Sequence, residues 1–279
     1  MRPIFNDPDR QKEFEEKGFV VADFLNAAEL AELTKAYETA KGQPVDMAFS
    51  TSNMSIDPAY RRAVSEAITR NFHRAVNHYF ERCKLFFGIF TAKQPGNASS
   101  VCSMHQDPAY VDESEFNGLT IWVPLVDTHA GNGALEVIDR SHLLNRWPRS
   151  TLPRFPYNEL APLLLKKYFR RLDLKAGQAY LGSARVFHWS PPNLGNTQRV
   201  AALAWMAEEE STMRCYYQDF SQPGDTMEVF EVQPSHYIDR PLFSRPDEST
   251  SVSLGTIPYR YEPLDESKID NIIQSHASV

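Results

Sequence analysis

The hydrophobic pattern changes character near residue 84. Before that point, GFVVADF (18–24) is a short β-branched and aromatic run that predicts a strand. Asn26 follows as a good N-cap. Leu30, Leu33 and Tyr37 then recur at helical spacing through AAELAELTKAYETAKG, with Gly42 as the stop. A second helix is predicted from about Asp57-Pro58 to Arg82, since Pro58 suits a first turn and no Gly or Pro interrupts the stretch. From Leu85 to Met206 the chain reads as strands instead: KLFFGIFTA, the segment ending at His105 to Asp107, GLTIWVPLVD, GALEVID, QAYLGSARVFHWS and TQRVAALAWMA. The turn clusters QPGNASS, HAGNG and PPNLGN separate them. Short strands without alternating helices predict a sandwich or barrel rather than a parallel α/β sheet. The exception is Tyr157 to Leu172, which reads as a helical insertion.

At 279 residues the chain is long for one domain and short for two. Mainly β units often reach ~200–250 residues, so one domain is expected. Its parts would be a helical N-terminal portion (1–84), a β core (about 85–210), a lid-like insertion (about 140–175) and a C-terminal extension (208–279). With 42% apolar and 23% charged residues, the composition excludes a disordered chain. A net charge of −7 argues against nucleic acid as a partner. No apolar run approaches the ~20 residues that a bilayer span needs. The N-terminus lacks the apolar stretch of a secretory signal, and Cys83, Cys102 and Cys215 are scattered with no C-x-x-C pair. A cytoplasmic protein with reduced thiols, monomeric or homodimeric, is the expectation, which makes the sequons at Asn53 and Asn97 chance matches.

Charge is unevenly spread. Residues 140–175 carry nine Lys or Arg against two acids, and residues 207–279 carry fourteen acids against five bases. This fits a solvated insertion packed near an acidic tail, or a basic cover over a site for a carboxylate or phosphate.

The candidate chemistry lies in SMHQDPAY. On a strand, His105 and Asp107 would point to one face, with Gln106 on the other. His188, on another predicted strand, is a second candidate imidazole. Two histidines and one carboxylate on one side of a metal leave the opposite positions open, an arrangement suited to non-haem Fe(II). After His188 the chain turns through Pro191–Asn196, so a hairpin would set Arg199 on the neighbouring strand. A buried arginine needs an anion, and its planar fork fits a carboxylate. Alternation places Ser190 on the face of His188, beside that carboxylate.

These segments resemble the phytanoyl-CoA dioxygenase family of Fe(II)/2-oxoglutarate oxygenases. The likeness runs from GFVVADFLNAAEL through KQPG and MHQD to LTIWVPLVDTHAGNGALEVIDRSH and FHWSPPN…QR, over roughly residues 10–210. Asp139-Arg140 stands where the family has Pro-Gly. The resemblance implies a double-stranded β-helix, a distorted, cupin-like jelly roll, with helices on one outer face. It implies His105, Asp107 and His188 as iron ligands. Arg199 would anchor the distal carboxylate of 2-oxoglutarate, with Ser190 assisting. Trp122 would line the cosubstrate pocket, unless it simply packs in the core. Lys93 is a lesser candidate for that pocket, a solvated strand end being the plainer reading. The implied reaction consumes O₂ and 2-oxoglutarate, releases succinate and CO₂, and oxidises a small organic substrate, most simply by C–H hydroxylation. Desaturation, epoxidation or ring formation would use the same residues, and a specialised metabolite is the expected substrate. Asp107 disfavours halogenation, which needs that ligand position vacant. A cupin-like metalloenzyme without 2-oxoglutarate and a non-catalytic binding protein are the rival classes.

Other residues read more plainly. His73 and His78, five apart, are poorly spaced for two ligands on one helix face. His129 and His142 fall on loops, and His236 and His276 fall in the acidic tail as solvated side chains. Phe90 reads as core. Tyr110 reads equally as a packed side chain or a substrate contact. Insertion 140–175 is where substrate contacts are expected.

Overall fold

The computed structural model describes residues 2–40, 47–152, 154–221, 225–241 and 243–274. Gly42 and His276 lie outside them. Asp7 caps α1 (Pro8–Lys17) by accepting from the amides of Asp9 and Arg10, and Gly18 closes it at φ 90°. After β1 (Phe19–Asp23), Asn26 and Glu29 form a capping box at the start of α2 (Ala27–Thr39). Strand β2 (Phe49–Thr51) leads to α3 (Pro58–Tyr79), capped by Asp57. This helix stops before the expected Arg82 because Phe80 turns extended, bridges Phe5 and is buried.

The core follows as β3 (Cys83–Lys93), β4 (Cys102–His105), β5 (Leu119–Pro124) and β6 (Leu135–Val137). Helix α4 (Ala161–Lys167) then precedes β7 (Arg170–Leu172), β8 (Gln178–Ser183), β9 (His188–Ser190) and β10 (Arg199–Glu208). Beyond it lie β11 (Arg214–Tyr217), β12 (Thr226–Glu231), α5 (Ser235–Asp239), β13 (Val252–Pro258) and α6 (Glu266–Gln274).

Two antiparallel sheets make the distorted jelly roll, one ordered β1-β8-β5-β10-β3-β2 and the other β4-β9-β6-β7. Helices α1 to α3 cover the outer face of the larger sheet. Ile121 and Val123 of β5 join Leu33, Ile68 and Phe72 there. Between them Trp122 turns inward to Leu135, Val137 and Tyr180. The strand is covered on both faces, so all six residues of β5 are buried, with Thr120 the one polar side chain among them. No helix among the described residues is long and apolar enough to cross a membrane.

Three expected elements differ. QAYLGSARVFHWS is two strands, because the chain leaves the larger sheet after Ser183, turns with Val186 N–H donating to the Ser183 carbonyl (3.0 Å), and enters the smaller sheet at His188. For the same reason β9 and β10 are not a hairpin. β9 pairs with β4 and β6, whereas β10 pairs with β3 and β5, so Arg199 lies on the facing sheet. Pro191 and Pro192 have no N–H with which to extend a ladder. The helical insertion is also shorter than expected. Arg170–Leu172 pairs with the edge of β6, which buries Leu172 and leaves both arginines outside.

The basic insertion packs against the acidic end of the chain. Lys167 pairs with Asp270 (2.7 Å) and Glu266 (3.0 Å) of α6, and Leu164 packs with Ile269. Arg170 and Arg171 pair with Asp139 and Asp173. Lys167, Arg170 and Arg171 are therefore engaged in ion pairs outside the cavity of the histidine cluster.

Candidate active site

His105 ends β4 and His188 begins β9, and the two are direct partners in the antiparallel ladder, with ring centroids 4.2 Å apart. Asp107 lies past the end of the strand, so alternation does not aim it. Its Oδ1 is nonetheless 3.7 Å from His105 Nε2 and 3.8 Å from His188 Nε2. One candidate ligand atom from each residue falls within 4.8 Å of the others. His105 Nδ1 lies 2.7 Å from the Ser103 carbonyl, and His188 Nδ1 lies 3.0 Å from that of Val186. A carbonyl can only accept, so each Nδ1 carries the hydrogen and each Nε2 keeps its lone pair. Burial and the neighbouring His188 pull the pKa of His105 down to about 4. A neutral imidazole is the form that binds a metal. Two such imidazoles and one carboxylate fit a non-haem Fe(II) site.

Several side chains unmarked in the sequence hold Asp107. The Thr120 hydroxyl donates to its Oδ2, and Arg149 Nε donates to its backbone carbonyl at 2.8 Å. Arg149 is in turn held by the buried Glu113, which also accepts from Arg185 at 2.9 Å. These two arginines hold the Glu113 carboxyl below the usual range despite burial, which alone would raise it. Thr120 was legible in one respect, since it sits two residues before Trp122 and so shares its inward face. Removing a group that orients a ligating carboxylate typically costs ~10–100-fold in metal affinity. Thr120→Val should lose Fe(II) affinity on that scale while β5 stays paired. A metal titration of the variant checks this, and wild-type affinity would count against the role.

A cavity of about 430 Å³ opens on this cluster, within the usual ~300–1,000 Å³ for ligand sites. Trp122, Ser190 and Arg199 line it together with His105, Asp107 and His188. Arg199 is 2% exposed, and its guanidinium sits 5.5 Å from the Trp122 ring. Its Nη1 donates to Thr91 Oγ1 at 3.3 Å, Nε has no partner, and no acidic side chain among the described residues pairs with it. Burial lowers its pKa to about 10.

Directly opposite Arg199 in the ladder is Lys93. Lys93 is not the solvated strand end considered above, because it is 0% exposed. Its ammonium does not line the cavity. It donates instead to the carbonyls of Ser100, Ser190 (3.0 Å) and Pro191 (2.7 Å), which fastens the turn carrying Ser190. Burial, with Arg199 adding repulsion, brings its pKa to about 7. Opposed like charges destabilise a sheet, so this pair favours an anion in the cavity. Tyr180, unmarked in the sequence, also lines the cavity with its hydroxyl buried and unpartnered. Gly182 makes room for its ring, since a Cβ there would lie 2.1 Å from the hydroxyl oxygen.

The remaining histidines separate clearly. His73 and His78 are exposed on α3. His129 Nδ1 accepts from the Gly131 amide (3.1 Å), and His142 Nε2 donates to the Glu15 carbonyl (3.3 Å). His236 is not solvated as expected. It is half-buried and lines a second chamber beside His105 and Asp107, together with Tyr110. Phe90 packs in the core under the helices. Thr151 is the one described residue of 140–175 that lines either chamber.

Solved structures of similar fold include the non-heme alpha-ketoglutarate-dependent carbocyclase SnoK from nogalamycin biosynthesis. It is 16% identical, with 77% of this chain and 89% of that one covered and a TM-score of 0.59. The epimerase SnoN of the same biosynthesis is 20% identical over 74% and 86% (TM-score 0.51). EctD from S. alaskensis, solved with 2-oxoglutarate and 5-hydroxyectoine, is 18% identical over 72% and 76% (TM-score 0.51). No curated protein matches the chain by sequence. The family model for phytanoyl-CoA dioxygenase matches residues 14–201, a span that contains every side chain of the cluster together with Arg199. The chain therefore belongs to the phytanoyl-CoA dioxygenase family.

Proposed function

We propose that this chain is an Fe(II)- and 2-oxoglutarate-dependent dioxygenase that hydroxylates an unactivated C–H bond of a small specialised metabolite. The observation that carries the reading is the buried Arg199, without an acidic partner among the described residues, in the same cavity as the His105–Asp107–His188 cluster. Bound there, Fe(II) and 2-oxoglutarate supply O₂ activation and C–H oxidation, with release of succinate and CO₂. The protein's share is positioning. His105, Asp107 and His188 would hold the metal. Arg199 takes the distal carboxylate of 2-oxoglutarate as a charge-assisted pair, with the Ser190 hydroxyl beside it. The Trp122 ring covers that pair and keeps water out, which strengthens it.

The test is an anaerobic titration of the Fe(II)-loaded protein with 2-oxoglutarate, monitored through the weak visible charge-transfer band. The band is expected to appear and saturate. No band with iron bound would favour a metalloenzyme that does without 2-oxoglutarate. No bound iron would favour a binding protein.

A further inference from the structure

The second chamber, about 170 Å³, also opens on His105 and Asp107, and Arg199 does not line it. Four rings form much of its wall. Phe87 lies 4.7 Å from Trp205 and 5.2 Å from Tyr237, and Tyr110 lies 5.0 Å from Tyr237 and 5.4 Å from Trp205. Asn53, Ser244 and the half-buried His236 supply polar groups around them. Burial lowers the pKa of His236 to about 4, so its ring is neutral near pH 7 and can both donate and accept. No Lys or Arg lines the chamber, and Asp107 is its one acidic residue among those described.

Tyr237 and His236 belong to α5, beyond the end of the family match at residue 201. That wall is firmly seated. Arg61 of α3 donates to the Ile238 carbonyl, and Arg62 pairs with Asp239 at 2.7 Å. The tyrosine's own hydroxyl is committed to the Arg214 carbonyl at 3.0 Å, which leaves its ring face as the contact surface.

We infer that α5, with Pro241, Phe243 and Ser244, completes a substrate subsite for an uncharged aromatic ring system bearing a hydroxyl or carbonyl group. Clustered rings offer stacked and edge contacts to a flat partner. An anionic group would lose its water there and meet no Lys or Arg, and a cationic one would find only Asp107, which is committed to the metal cluster, so a charge of either sign is costly. A phosphate, a carboxylate or a coenzyme A moiety is therefore excluded from this chamber, since no Lys or Arg of the basic insertion lines it. His236 hydrogen-bonds the substrate's oxygen and sets which carbon faces the metal cluster. This inference rests on the dioxygenase reading, because it takes His105 and Asp107 as part of the reacting centre.

The test uses 2-naphthol, 2-naphthalenesulfonate and decahydro-2-naphthol, titrated calorimetrically into the full chain loaded with Fe(II) and saturating 2-oxoglutarate under nitrogen. 2-Naphthol should bind tightest, with the sulfonate at least about tenfold weaker because its charge is buried unpaired. The saturated alcohol should be several-fold weaker. His236→Leu should weaken 2-naphthol about fivefold or more through the lost hydrogen bond, with His236→Gln recovering part of it. The 2-oxoglutarate band reads the other chamber and should be unchanged in both variants. Sulfonate binding as tight as that of naphthol, no binding of any probe, or wild-type naphthol affinity in His236→Leu would overturn the inference. If the band is missing while the probe ranking holds, the cosubstrate reading fails and the subsite stands.

Discussion

His188→Ala should reduce iron-dependent activity to background while the fold survives. The cluster has three donors on one side of the prospective metal, and the substitution leaves one imidazole and one carboxylate. Two donors hold a divalent ion weakly and no longer define which side stays open. The backbone around position 188 does not depend on the ring. β9 pairs with β4 as His188–His105 and Ser190–Cys102, and with β6 as His188–Val137 and Trp189–Glu136. The ring's Nδ1 bond goes to the carbonyl two residues away, so its loss is local. A typical single-substitution cost of ~0.5–3 kcal/mol would move the melting temperature by only a few degrees in a chain of this size. Iron affinity, turnover and thermal unfolding measured on one preparation separate the two effects. Normal turnover in the variant would remove His188 from the site, and global unfolding would leave Asp107→Ala as the informative change.

How far the site was legible depends on which contacts are local in sequence. H-x-D and the later histidine were visible, but not what aims the carboxylate. Asp107 is oriented by Thr120, Arg149 and, through Arg149, Glu113, and none of these carries a motif. Arg199 was legible as a buried cation in need of an anion, yet its assignment to a hairpin was mistaken. A period of two says that a residue faces inward, not which strand it pairs with. ARVF contains no Gly or Pro, so nothing in it signalled the change of sheet between Ser183 and His188. LLLKKYFRRL fits a helical period to its end, and only the open edge of β6 converts its last three residues to strand. Charge counts identified the basic insertion and the acidic tail without saying that Lys167 joins them by pairing with Glu266 and Asp270. His236 stands in that acidic stretch, so sequence neighbours suggested water, whereas α5 brings it to the metal cluster.

Arg199→Ala should raise the concentration of 2-oxoglutarate needed for turnover by roughly 30- to 4,000-fold, since truncating one partner of a buried, hydrogen-bonded charge pair costs about 2–5 kcal/mol. The requirement for substrate should change far less, because Arg199 does not line the chamber that holds the aromatic rings. Arg199→Lys should fall between the two, retaining a charge but not the planar fork that meets both carboxylate oxygens. The effect on stability should run the other way. Without ligand, wild type keeps a desolvated guanidinium, with no acidic partner among the described residues, directly across from a buried lysine. Removing it relieves that repulsion, so ligand-free Arg199→Ala should melt no lower than wild type, at the cost of some packing against Trp122. Saturating 2-oxoglutarate should raise the melting temperature of wild type and leave that of the variant nearly unchanged. A merely structural arginine would show the reverse, with lower stability throughout and an unaltered 2-oxoglutarate requirement, and that result would refute its role as the cosubstrate anchor.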